Sequence, residues 1–266
     1  MSNWLSEYAG EDQHQIDQVN AKGLQLNPTT PKENALFAGA VKSPFTGAAA
    51  GFAKVADTLA TPFDAVADRV GYTLKDMNTD KPIESYEEYR SKKEKARNDL
   101  ILQGVDALQD RENTGLVGHI GFGIGDYITR ATVGSLAGGL PGAVGVTGLS
   151  ETDYNYKDLV RHGVDEKTAL KVAAVDGVVA GGATAVPLSY GFKVNGGLIA
   201  DGALSIGGTT AFVTGGQAVS GQILENAGYE KQAKKYEITK ETIAIDLALN
   251  TLLFGGARYA RGRLDS

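Results

Sequence analysis

The chain has 266 residues, 42% of them hydrophobic and 8% aromatic, which supplies ample apolar material for a core and excludes general disorder. Its net charge of −6 and pI near 5.2 argue against binding nucleic acid through overall charge. It has no cysteine, which excludes disulfides, thiolate zinc sites and cysteine catalysis together, and a mean hydropathy of −0.17 argues against a constitutive membrane protein.

Residues 1–34 read as a polar N-terminal segment and linker. Glu7, Glu11, Asp12 and Asp17 precede the first lysine, so no secretory signal is expected, and Pro28 and Pro31 bracket an irregular stretch. Residues 35–112 read as an amphipathic helical region, in which Pro44 and Pro62 each start or break a helix. Phe45, Ala49, Phe52, Ala53, Ala56 and Leu59 recur at helical spacing, and Phe63, Val66, Ala67 and Val70 continue the stripe. Such a stripe is expected to face a core. A polar turn at 76–82 leads into a charged stretch, 84–112, that reads as one long solvated helix. Glu88 and Lys92 form a favourable i,i+4 pair there, and Leu100, Ile101, Val105 and Leu108 give an apolar edge. The cluster Lys92, Lys93, Lys95 and Arg97 fits a solvated face.

Residues 115–257 carry 27 of the 35 glycines. Gly134, Gly138 and Gly142 step by four, as do Ala173, Gly177, Gly181 and Ala185. So do Ala203, Gly207, Ala211 and Gly215, and beside them Gly208, Phe212, Gly216 and Ser220. Four-residue spacing stacks side chains on one helix face, and small residues there let another helix approach closely. Glycine costs a helix interior about 0.5–1 kcal/mol relative to alanine, so the density must be offset by packing, by an oligomer or by a bilayer. Gly134, Gly138, Gly142, Gly177, Gly181, Gly207, Gly208, Gly215 and Gly216 are therefore the candidate helix-packing residues of a glycine zipper. Windows 131–150, 177–192 and 202–224 hold no charged residue. Two of them have the length to cross hydrocarbon, but Gly, Ala, Ser and Thr fill them, so insertion is expected only under particular conditions. Asp176, Asp201 and Asp246 are expected at an exposed edge or paired with a neighbour such as Lys171. Arg258, Arg261 and Arg263 mark a basic C-terminal tail, 258–266.

An internal repeat runs at an offset of 74 residues: 164–183, opened by the cap Asp165, matches 238–257, opened by the cap Thr239. Each unit reads as helix, polar connector (150–162 or 225–236) and capped helix. Strand signals are weak, so the expected fold is all-α: Gly/Ala-rich helical hairpins following an N-terminal amphipathic helical region.

Motifs for chemistry are sparse. Gly121-Phe122-Gly123-Ile124-Gly125 invites comparison with a dinucleotide loop, but Asp126 stands where glycine is required and no strand clearly precedes it, so close helix contact or a hinge is the better account. Glu84-Ser85 echoes the glutamate–serine pair of lytic transglycosylases, where the glutamate needs a raised pKa in a formed cleft. His14, His119 and His162 are isolated. No catalytic, cofactor-binding or metal-ligating residue is assigned, no cofactor is expected, and the chain reads as non-enzymatic.

Residues 156–169, reading YKDLVRHGVDEKTA, lead into a Gly/Ala helix ending at Ala185-Val186-Pro187. With Gly139-Leu140-Pro141-Gly142 upstream, this stretch resembles internal virion proteins of tailed bacteriophages, also called DNA ejection or DNA transfer proteins, and the large multidomain phage proteins related to them. The resemblance covers roughly 115–257 and is compositional. It implies a helical bacteriophage virion protein held inside the capsid, expelled ahead of the genome, and then forming a conduit for viral genome delivery through the host cell envelope. The partners implied are further copies of itself, other ejection, portal or tail proteins and the host membrane, with DNA passing but not read by sequence. The alternatives are a membrane-active bacterial effector or toxin fragment and a soluble helical scaffold protein.

Overall fold

The computed structural model describes residues 37–77, 84–110, 113–192 and 197–264. The expected features at 1–34 and most of the turn at 76–82 lie outside the described residues. The fold is all-α, with no strand among the described residues. The helices are α1 (Ser43–Met77), α2 (Tyr86–Gln109), α3 (Leu116–Arg161), α4 (Glu166–Phe192), α5 (Leu198–Gly202), α6 (Gly208–Asn226), α7 (Glu230–Ala233) and α8 (Lys240–Leu264). A π-turn at Ala203–Gly207 joins α5 to α6 without leaving helical dihedrals at either junction.

Helix α3 is a hairpin. Gly138 and Gly139 leave helical geometry, and Gly139 adopts φ 62° and ψ −145°, a conformation open essentially to glycine. The arms fold back so that Gly134 and Gly142 lie backbone to backbone, where a Cβ on either would overlap the other's carbonyl oxygen. The chain then meanders. The second arm of α3 packs against α4 where Gly148 faces Gly177 and Gly181, and α4 packs against α6 where Gly216 receives Val179 and Gly182 receives Phe212. Helix α1 lies along the first arm of α3, with Gly47 against the Phe122 carbonyl, Gly51 against that of Asp126 and Gly125 against that of Pro44.

Four expectations change. Pro62 sits inside α1, which continues through it. Proline removes one backbone bond, to the Thr58 carbonyl, at an exposed position where water can take its place. The apolar stripe of α1 faces outward, not into a core: Phe45, Phe52, Phe63 and Val66 are all more than 60% exposed. The side turned inward carries Gly47, Ala50, Gly51, Lys54 and Val55, because only small residues allow α3 so close. The first expected connector, 150–162, is the end of a helix, and the basic tail is largely the last turns of α8.

Helix α2 begins with a capping box: Ser85 accepts from the Glu88 amide and Glu88 accepts from the Ser85 amide. Asp165 and Thr239 cap the repeat's two helices, accepting from the amides of Thr168 and Thr242. Buried apolar residues gather in small clusters, the largest joining Leu159, Val172 and Leu224 around Tyr236.

Glycine at the α1–α3 crossing is a requirement, whereas Gly104 in α2 has open space where a Cβ would go. Gly51→Ala should lower the unfolding free energy by about 1–3 kcal/mol, the range for overpacking, while Gly104→Ala should raise it by about 0.5–1 kcal/mol. Urea titrations followed by circular dichroism check both signs.

Candidate functional site

A polar network runs through the interior of the bundle between its apolar clusters. Lys54 of α1 donates to Asp126 of α3 at 3.0 Å, and Arg130, one turn on, donates to the same carboxylate at 2.9 Å. Across the hairpin Arg130 reaches Glu151 at 2.5 Å. Asn155 then donates to Glu151 at 3.1 Å and to Asp176 of α4 at 3.0 Å. Asp176 also accepts from Ser220 of α6 at 2.7 Å and from Tyr236 at 2.6 Å. One chain of hydrogen bonds thus ties α1, both arms of α3, α4, α6 and the turn before α8. Beside it, Lys157 binds Asp57 at 2.7 Å and Asp153 at 2.8 Å, and Arg258 binds Asp201 at 2.9 Å.

These charges are deeply covered: Arg130 is 3% exposed and Asp201 1%. Large apolar side chains lie outside, with Ile199 at 87% exposure, Leu136 at 85% and Val178 at 67%. A cavity of about 290 Å³ opens where the network passes Arg130, Glu151 and Asp176, and Asp246 also lines it. One Asp246 carboxylate oxygen has no hydrogen-bond partner. None of the three aspartates singled out from sequence pairs with Lys171: Asp176 takes neutral donors, Asp201 takes Arg258 and Asp246 faces the cavity. The reason is reach, since the helix faces carrying Asp176 and Asp201 turn towards neighbouring helices.

The candidate glycines divide. Gly134, Gly142, Gly177, Gly181 and Gly216 lie in close helix contacts. Gly138 marks the break in α3, and Gly207, Gly208 and Gly215 face open space. The same spacing therefore produced contact on α3 and α4 but none at three of the four candidate glycines around α6, because only Gly216 points at a neighbour. Sequence reasoning missed Lys54, Asp126, Arg130, Glu151 and Asn155. The available signal was that Asp126 and Arg130 are the charged residues of 116–150 and stand four apart, on one helix face.

The glycine run at 118–125 is helical and packs on α1, with Gly121 against the Pro44 ring. Glu84 pairs with Lys75 and Lys92, whose hydrogen bonds hold its carboxyl below the usual range, opposite to what a general acid needs.

The stretch 156–169 turns at Gly163, φ +83°, between α3 and α4. The segment before α8 grips this turn. Lys235 donates to Asp158 at 2.8 Å, Gln232 donates to the His162 carbonyl at 2.8 Å, and Tyr229 donates to Asp165 at 3.1 Å while accepting from its amide at 3.0 Å. His162 Nδ1 lies 3.3 Å from Asp158, and this contact raises the imidazole's pKa despite partial burial. Burial pushes the Asp158 carboxyl up, but His162 and Lys235 outweigh it and hold the group well below the usual carboxylate range. No family model, curated protein or solved structure matches this chain.

The linkage has a definite sign. A raised folded-state pKa at His162 contributes stability that is complete below the unfolded value of 6.5 and is lost as pH rises through the folded value. The lowered pKa of Asp158 contributes stability above its unfolded value of 3.8, lost as pH falls. The urea midpoint should therefore decline from pH 6 to pH 8, and His162→Gln should reduce that decline to the part left by Asp246, whose carboxyl burial pushes up to about 6.

Proposed function

We propose that this chain is a non-enzymatic, membrane-engaging assembly protein: an internal virion protein of a tailed bacteriophage, expelled with the genome and helping to build its conduit through the host cell envelope. The observation that carries the reading is the burial of paired charges within the bundle together with large apolar side chains on its outside. Charged groups such as Arg130 and Asp201 are inside, paired, while Leu136, Val178, Ile199 and Leu204 point outward. In water this arrangement gains little from the hydrophobic effect and leaves apolar surface exposed. In lipid it is the favourable one, because charges within a bilayer face the bundle interior and pair there.

Other features support it. Helix 166–190 is long and apolar enough to cross a bilayer by length and composition, with a mean hydropathy of 1.5 in its most apolar window. Close backbone packing through Gly148, Gly177 and Gly181 is the way helices associate where lipid tails are as apolar as leucine. The glycines left open on α6 and the π-turn before it, Gly207, Gly208 and Gly215, give further helices a face to approach in an oligomer. The absence of cysteine leaves no bridge to break if the chain unfolds for passage through a narrow tail. The virion interior, then the host envelope, follow from the resemblance of 115–257 to ejection proteins.

Flotation and dye release with anionic vesicles test the proposal. The wild type should float with the vesicles and release dye. Val178→Glu with Ile199→Glu changes only outward positions, so the variant should keep its helicity and unfolding midpoint yet lose both activities. A wild type that stays at the bottom of the gradient, or a double variant that floats equally well, contradicts a lipid-facing exterior.

A further inference from the structure

We infer that the outward face of α1 is a coiled-coil seam that pairs with α1 of a second copy of this chain. The argument rests first on spacing. Phe45, Phe52, Leu59 and Val66 step by seven, and Ala49, Ala56, Phe63 and Val70 step by seven, displaced by four. Together they make an unbroken 4-3 alternation through three heptads and more, and every one of these residues is exposed. A 3.5-residue repeat keeps one narrow seam facing a partner helix, whereas a face shaped only for solvent or lipid has no reason to hold that register.

Charge supports the same conclusion. The charged residues of α1 between Phe45 and Val66 are Lys54, Asp57 and Asp64, and each is committed to a partner inside its own chain: Asp126, Lys157 and Arg97. The flanking positions on the outward side are Ala53, Ala60 and Ala67. Between Phe45 and Val66 the face therefore offers no basic side chain to lipid headgroups, which interfacial helices carry, and Arg69 beyond it lies over the Tyr86 ring of its own chain. It does offer bulky knobs (Phe45, Phe52, Leu59) alternating with alanine gaps that accept knobs from an identical helix.

The area is sufficient. From Phe45 to Val70 the seam is about 38 Å long at the α-helical rise, and its large apolar side chains are 54–76% exposed. Covering three phenylalanines, at about 150–250 Å² each when buried, together with the aliphatic residues between them, removes on the order of 800 Å² per chain. That is the share each partner contributes to a standard specific interface. The pairing does not rest on the membrane reading, since it concerns a different face and needs no lipid.

The test uses the full chain without lipid. Light scattering after size exclusion should give a dimer at micromolar concentration, and Phe52→Glu with Phe63→Glu should give a monomer of unchanged helicity, with the unfolding midpoint that the wild type shows once diluted to monomer. Because the chain has no cysteine, Ala56→Cys reports on the seam alone. Its reaction with a maleimide should be about tenfold slower than that of Glu87→Cys on α2, and the protection should vanish on dilution. A chain that is monomeric at high micromolar concentration overturns the proposal. So does a dimer that survives both glutamates, a protection that persists in the diluted monomer because another part of the same chain covers the seam, or one that develops only when vesicles are added.

Discussion

Backbone contact between helices governs this structure. Where Gly51 meets the Asp126 carbonyl, where Gly125 meets that of Pro44, and where Gly134 meets Gly142, no room remains for side chains. A conventional core gains its stability by burying large apolar groups, and these crossings exclude such groups by geometry. At these crossings the larger hydrophobic side chains are displaced to the outer faces, so α1 carries its phenylalanines away from α3 and α4 turns Val178 outward. Apolar residues such as Leu159, Val172 and Leu224 gather in small clusters away from the crossings, and polar side chains link the helices between them. Lys54, Arg130, Glu151, Asn155 and Asp176 bridge one helix to the next because a long side chain can extend along a crossing that a bulky one cannot enter.

Such an interior is sensitive to completeness. A buried ion pair contributes little over a well-packed apolar pair, but loss of one partner strands the other at a cost of about 3–5 kcal/mol. Arg130 illustrates this, since it serves Asp126 on its own arm and Glu151 across the hairpin. The network thus holds the two arms of α3 in register, while Gly139 supplies the backbone conformation that lets the hairpin turn at all. The second turn of the bundle, around Gly163, is held differently, by the polar grip of Tyr229, Gln232 and Lys235.

Much of this architecture was legible in the sequence and some of it was not, for identifiable reasons. The helical character, the capped starts at Asp165 and Thr239, and close packing at Gly134, Gly177 and Gly181 follow from local rules of spacing and capping. The direction in which α1 presents its stripe does not, because periodicity reports that two faces differ and leaves open which one is covered. Composition decided it: the face with Gly47, Ala50 and Gly51 permits closer approach than the face with Phe45 and Phe52. Pro62 misled because a long helix packed along one face tolerates a missing bond at an exposed position. The polar network escaped notice because its members come from distant parts of the chain, Lys54 and Asp126 being 72 residues apart. Gly207, Gly208 and Gly215 share the spacing of the packed glycines, yet pattern alone cannot say whether a partner helix is present.

The central claim is that the apolar exterior faces lipid while the paired charges face inward. Spin labels placed singly along α4 in vesicle-bound protein test it most directly, since no native cysteine competes for the label. Accessibility to dissolved oxygen should peak at the outward positions Leu170 and Val178 and fall to a minimum at Ala169 and Ala173, with polar relaxation agents showing little access at Val178. Uniform access of polar agents along the helix, or oxygen maxima at the glycine face instead, would contradict the account.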